Sequence, residues 1–280
     1  MKIVAIMLTV LPSSIVHAGW IPPAENLGYP INTTFSESQG SISPDGTKFF
    51  FVRNNPTNRI FESTWNGSTW SDPSPLPPPV NEPGSESPHW RADTNDLYLA
   101  SGDHGGQGGA DLFVSHWSGS WGTPQNLGTS VNTSAHEGFP CLSSDGNRIY
   151  YSRDDVIWTA YKSGGSWIGA QLTGIGQGQP SSYHNGCLYF TSTRGGGYGG
   201  SDIWKAEGEG SSFDPAENLG PDVNTNANEG TPTWQSNGEW WMYFSSNKSG
   251  GSGSQDFYKI RWTGTVIESA SLGTIKATFR

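Results

Sequence analysis

Four glutamates recur in one setting. Glu37, Glu86, Glu137 and Glu229 each stand ahead of a short strand-like run that ends in a turn. The turns are Ser43-Pro44-Asp45-Gly46, Ala92-Asp93-Thr94-Asn95, Ser144-Asp145-Gly146 and Ser236-Asn237-Gly238. Gln177 holds the same slot before His184-Asn185-Gly186. Carboxylates from different segments that meet within about 5–10 Å can serve as acid and base, or acid and nucleophile, on a glycosidic bond. They also suit a hard cation such as calcium, which takes six to eight oxygens. A plainer role competes. Arg53, Arg153, Arg194 and Lys248 close the following strands, and Asp111, Asp202 and Asp256 open later ones. Buried charges need such partners. Repetition speaks for the plainer role, because acid–base catalysis needs groups with separated pKa values.

The elements that must position these groups are short strands. Asp-Gly and Asn-Gly are hairpin signals, since both central positions need positive φ. Second strands follow each turn: Lys48–Phe51, Leu97–Leu99, Ile149–Tyr151, Leu188–Phe190 and Trp241–Phe244. Third strands lie at Ile60-Phe61, Asp111–Phe113, Ile157-Trp158, Asp202–Trp204 and Asp256–Tyr258. Between them run unequal loops, of which Ser101–Ala110, Ser192–Ser201 and Ser245–Gln255 are glycine-rich.

A phrase then links each repeat to the next. It reads Trp121, Pro124, Asn126-Leu127-Gly128, Val131-Asn132, and returns as Phe213, Pro215, Asn218-Leu219-Gly220, Val223-Asn224. A degraded copy is Trp70, Pro73, Leu76, Val80-Asn81. The phrase also stands first, as Trp20, Pro23, Asn26-Leu27-Gly28, Ile31-Asn32, ahead of any inner strand. Four-stranded units joined by glycine turns are propeller blades. Five inner, second and third strands and one orphan outer strand give an all-β, five-bladed β-propeller of four-stranded antiparallel blades. The N-terminal strand closes the last blade and removes the exposed sheet edges.

Composition bounds the rest. Of 280 residues 14% are charged, with 38 Gly and 13 Trp, which fits close turns around an aromatic core. The net charge of −10 repels phosphate backbones and argues against nucleic acid. Residues 1–18 read as a signal peptide: Lys2, an apolar run Ile3–Leu11, and Val16-His17-Ala18 as the cleavage site. The expected product is secreted or periplasmic, with no transmembrane segment. The propeller is expected over 19–265, and 266–280 as a C-terminal tail or extra strand. A disulfide between Cys141 and Cys187 is allowed in that compartment but not implied.

With these residues laid out, the repeats resemble the WD40-like propeller repeat of TolB-type periplasmic proteins. The resemblance rests on Glu137 with Ser144-Asp145-Gly146 and Tyr150-Tyr151, on Ser43-Pro44-Asp45-Gly46, and on Arg194 with Asp202-Ile203-Trp204. It covers roughly residues 20–262 and implies a binding scaffold. TolB-type proteins carry a further N-terminal domain, so their partners are not carried over.

Propeller topology puts the crossovers and the second-to-third-strand loops on one face and the hairpin turns on the other. Glu37, Glu86, Glu137, Gln177 and Glu229 are therefore expected to ring the channel mouth. His104, His136, Arg194 and Tyr198 belong to the surrounding loops. Those nine residues are the candidate ligand-binding set. No cofactor is required; calcium is the one ion the carboxylates would suit. The expected function is an exported, non-catalytic binding or scaffold module for a protein, peptide or glycan. The alternative is a glycan-active enzyme in the manner of the five-bladed glycoside hydrolases, using Glu37, Glu86, Glu137 and Glu229. Neither G-x-S-x-G, H-E-x-x-H nor a phosphate-binding loop is present.

Overall fold

The computed structural model describes residues 19–264. The expected signal peptide at 1–18 and the expected tail or extra strand at 266–280 lie outside them. The described chain forms five antiparallel blades. The inner strands are Ser36–Ile42, Glu86–Arg91, Glu137–Leu142, Gln179–His184 and Glu229–Ser236, for blades 1 to 5 in order. Blade 5 is completed by the strand Gly19–Asn26, which pairs with Asp256–Thr263 from Gly19 opposite Thr263 to Asn26 opposite Tyr258. The expected N-terminal closure is the observed one.

Apolar side chains fill the seams between blades. Phe50, Trp90 and Trp121 meet where blades 1 and 2 face each other. Phe49 packs edge-on against Phe257 where blade 5 meets blade 1. The first strand joins this packing, since Trp20 stacks on Trp234 at 5.6 Å and meets Trp262 edge-on at 4.7 Å.

The recurring Val/Ile-Asn pair has a structural cause. Asn32, Asn132 and Asn224 are buried, and each imitates a missing strand partner. Asn132 Oδ1 accepts the Leu112 N–H at 2.8 Å, and its Nδ2 donates to the Leu112 carbonyl at 2.9 Å. Asn224 does the same for Ile203, and Asn32 Oδ1 accepts from Phe257. Third-strand backbone groups beyond the short outer strand are thereby satisfied.

All five inner strands carry a register shift near their midpoint. In four of them a non-glycine residue there takes positive φ: Gln39, Ser87, Phe139 and Thr231. Bulges bend a strand and sharpen its twist. Here they gather around the axis with Gly40, Pro88, Pro140, Pro180 and Ser181 into a waist holding a void of about 20 Å³, the room of a single water.

Candidate functional site

The carboxylates expected to ring one mouth do not form a set of equals. Glu37, Glu137 and Glu229 are fully buried. Glu37 Oε1 accepts the Thr33 hydroxyl at 2.5 Å and Arg53 Nε at 2.8 Å, and Oε2 accepts the Thr33 N–H at 3.1 Å. Glu137 repeats this with Thr133 and Arg153. Glu229 repeats it with Thr225, but Ser246 Oγ replaces the arginine at 2.8 Å. Lys248 lies instead over the Tyr258 ring, 3.9 Å from its centroid. Each of these three carboxylates clasps the crossover loop entering its own blade. The expected ring of ligand-facing carboxylates is revised accordingly.

The expected meeting of these glutamates with Asp111, Asp202 and Asp256 does not occur. Those aspartates fold the glycine-rich loops instead. Asp111 Oδ2 accepts the Gln107 N–H, Asp202 Oδ2 the Tyr198 N–H and Asp256 Oδ2 the Ser252 N–H, each at 2.6 Å. The loops share a Gly-x-Gly-x-x-Asp spacing that sequence reasoning passed over: Gly106/Gly108/Asp111, Gly197/Gly199/Asp202 and Gly251/Gly253/Asp256. A Cβ on the second glycine would drive into a backbone carbonyl of the neighbouring crossover: Ala135 for Gly108, Ala227 for Gly199, Phe35 for Gly253. These are the same crossovers that the buried glutamates clasp. The two motifs form one joint, repeated where blade 2 meets 3, 4 meets 5, and 5 meets 1.

Blade 2 lacks the clasp. Glu82 replaces the threonine, and Ala100 stands opposite Glu86 where the others have an arginine or serine. Glu86 is consequently half-buried, takes the Asn58 amide at 3.1 Å and lies 4.0 Å from His136 Nε2. Gln177 does not hold the expected slot: it ends the outer strand of blade 3 opposite Val156, Gly178 takes the glutamate position, and the Gln177 amide accepts Ser192 Oγ at 2.7 Å and donates to Thr193 at 2.9 Å. Arg194 packs over Phe190 and Trp204, and burial lowers its pKa. His104 reaches the Val80 carbonyl at 3.3 Å and meets Phe113 edge-on. The Tyr198 ring is exposed. Among the described residues no three His, Cys, Asp or Glu side chains gather to hold a metal. Cys141 and Cys187 are both free thiols.

The roomy end of the axis is the other one. At the hairpin face a well of about 450 Å³ opens, and all five inner strands line it. Its size falls within the range of small-molecule sites. A recurring contact builds its wall. An inner strand is a sheet edge, and its N–H groups face the axis without a ladder partner. A side chain of the preceding blade accepts them. Ser41 Oγ takes the Trp90 N–H at 2.9 Å, His89 Nε2 the Leu142 N–H at 3.3 Å, and Thr233 Oγ1 the Ile42 N–H at 3.2 Å. Cys141 holds that place in blade 3, near the Tyr183 backbone, and its thiol faces the Leu142 carbonyl at 4.0 Å. Ser182 holds the same place in blade 4. Among the described residues its Oγ has no partner, and neither has Trp234 Nε1 across that seam, though both atoms are buried. The pattern was hidden in sequence because serine, histidine, cysteine, serine and threonine share nothing there but position.

His89 accepts a hydrogen bond and so is neutral. Burial, with Arg91 nearby, holds its pKa down at about 4. Burial does the same to His184, at about 4, where the ring stacks on Trp234 at 5.0 Å. Arg91 is gripped by Asp93, Nε to Oδ1 at 2.7 Å and Nη2 to Oδ2 at 2.5 Å, which lowers the carboxyl's pKa. The well therefore carries matched charge at its rim and neutral polar groups within.

Neither a family model nor a curated relative matches the sequence. Solved structures do match the fold. An endo-arabinase from Bacteroides thetaiotaomicron is 14% identical over 88% of this chain and 99% of its own, with a TM-score of 0.58. A GH43 endo-arabinanase from Bacillus licheniformis is 15% identical over 85% and 96%, at 0.52. A protein described as TolB from Agrobacterium tumefaciens is 15% identical over 82% and 91%, at 0.50. At such identities the likeness establishes the five-bladed β-propeller and nothing finer.

Proposed function

We propose that this chain is an exported, non-catalytic binding propeller whose ligand enters the axial well at the hairpin face. One observation carries the reading. The mouth with the carboxylates has three of its four glutamates buried and fully bonded, whereas the opposite mouth opens into a well of about 450 Å³ lined by serine, threonine and histidine side chains. This moves the ligand from the face expected from sequence to the other face.

The test is a plug. Ser144 sits exposed on the rim, in the turn of blade 3. Titration of the purified protein with envelope glycans and peptides should give saturable binding, and Ser144→Trp should abolish it without lowering the melting temperature. Binding that survives the plug would place the ligand elsewhere.

A second reading is favoured by the arabinan-acting neighbours: a glycan-active enzyme working at the carboxylate mouth. Glu86 is the one member of the four left half-open there, with His136 beside it. Reducing-sugar release from arabinan or xylan, lost in Glu86→Gln, would establish that reading in place of the first.

A further inference from the structure

Resting on the binding reading above, we infer that His89 reads the ligand in the well: its Nδ1–H is a fixed donor, and the well takes an uncharged molecule that offers it an oxygen, from a hydroxyl or an amide carbonyl. His89 stands on the inner strand of blade 2 and lines the well. Its Nε2 accepts the Leu142 N–H of blade 3 at 3.3 Å. A neutral imidazole has one acceptor nitrogen and one donor nitrogen, so the proton of His89 sits on Nδ1. Among the described residues Nδ1 has no hydrogen-bond partner, yet it is not one of the buried atoms shut away from solvent. The ring is half-buried, and the well is the axial space it borders, since Pro88 lines the waist and His89 does not. The donor is therefore left over for whatever enters.

The bond to Leu142 fixes the charge of His89 as well as its tautomer. A proton added to Nε2 would face the Leu142 N–H, so the ring cannot become a cation for an anionic ligand without breaking the wall. The charged groups of the lining are Arg91 and Asp93, and they pair with each other. The His184 ring stacks on Trp234 and packs against Trp240, and burial keeps it uncharged near neutral pH. A carboxylate or a phosphate would thus shed its water without gaining a counter-charge. An ammonium group would meet a donor, beside an Arg91 guanidinium whose charge is already felt at His89. An uncharged oxygen suffers neither penalty. The volume of about 450 Å³ suits a molecule of a few rings or residues.

Two measurements on the purified protein test this. The first needs no ligand. Nitrogen-15 spectra of the histidine rings report the tautomer, with the His89 signals assigned by their loss in His89→Gln. Near neutral pH the expected state is a protonated Nδ1 and a bare Nε2; the opposite tautomer, or an imidazolium, overturns the inference. The second is calorimetric titration with two uncharged probes, xylotriose and N-acetyl-trialanine amide, and their charged counterparts, trigalacturonate and free trialanine. The expected result is saturable binding of an uncharged probe, at least about tenfold tighter than its counterpart and abolished by Ser144→Trp. Binding should weaken about tenfold in His89→Phe, the loss of one hydrogen bond. It should largely survive in His89→Gln, whose amide keeps an acceptor for Leu142 and a donor for the ligand. Xylotriose alone would assign a hydroxyl to the donor, and the amide alone a carbonyl. Thermal melts check that His89→Phe is folded at the titration temperature; the spectra and His89→Gln decide the matter if it is not. Binding stopped by the plug but indifferent to His89→Phe overturns the inference and leaves the module standing. Binding that ignores the plug overturns both. Preference for a charged counterpart, or no binding of either uncharged probe, overturns the inference and leaves the plug experiment to judge the module.

Discussion

Arg153 Nε lies 2.9 Å from Glu137 Oε1, and that carboxylate is wholly removed from solvent. The guanidinium also covers the Trp158 ring at 4.2 Å and donates to the Val131 carbonyl. Glu137 is therefore the centre of a joint that holds a crossover, a second strand and a third strand together. Removing one partner of such a pair strands the other, at a cost of about 3–5 kcal/mol. Glu137→Gln should lower unfolding free energy by roughly 3 kcal/mol. Glu86→Gln, at the unclasped repeat, should change it by less than about 0.5 kcal/mol. Urea unfolding of the two variants side by side is the measurement, and equal effects would contradict the distinction.

The glycine joint is separately testable. Gly108→Ala and Gly199→Ala put a methyl against backbone that cannot yield, and should each cost about 1–3 kcal/mol. Gly195 has open space around its Cβ position and needs no left-handed backbone, so Gly195→Ala should be silent. A neutral Gly108→Ala would mean that the loop does not dock on the next crossover.

Acid should weaken the ring through two histidines. His89 and His184 titrate near 4 in the folded chain and near their ordinary 6.5 when unfolded. The unfolded chain thus takes up protons first as pH falls. Their contribution to stability is whole above 6.5 and is lost between 6.5 and 4, at up to about 1.4 kcal/mol per pH unit for each. Facing His89 are Arg91 and, through it, Asp93, whose own depressed pKa keeps that pair intact over this window. Melting temperature should fall across pH 6.5 to 4, and the slope should be shallower in His184→Gln. A flat profile in the parent would show that both rings carry protons in the fold.

The first strand is a structural latch. Trp20→Ala removes the contacts to Trp234 and Trp262 and should cost about 2–4 kcal/mol. Deleting residues 19–26 exposes the edge of the strand Asp256–Thr263, and light scattering should then report association between chains. A monodisperse, fully stable deletion would deny the latch.

Five repeats, their order and the role of the orphan phrase at Trp20–Asn32 were readable, because turn residues and aromatic runs depend on local geometry alone. The clasp was half readable. The base that ends a second strand opposite Glu37 or Glu137 suggested pairing, yet the threonine four residues before each glutamate went unremarked, although Asn-Thr-x-x-x-Glu occurs three times. The partners of the aspartates are not legible, since they are backbone N–H groups of their own loops, which carry no mark in a sequence. The well was not readable at all. It depends on a bulge in every inner strand and on which atoms a neighbouring blade leaves over, and both arise only once the circle has closed.

That closure also governs how the molecule can be made and handled. Because Gly19 lies opposite Thr263, the two extremities of the wheel sit side by side on its outer rim. A ribosome must release the final spoke before the first segment has anywhere to dock, so Trp20 waits uncovered through most of synthesis. For the same reason a label or a tether attached at either extremity leaves from the perimeter of the disc, far from the hub, and both faces stay clear.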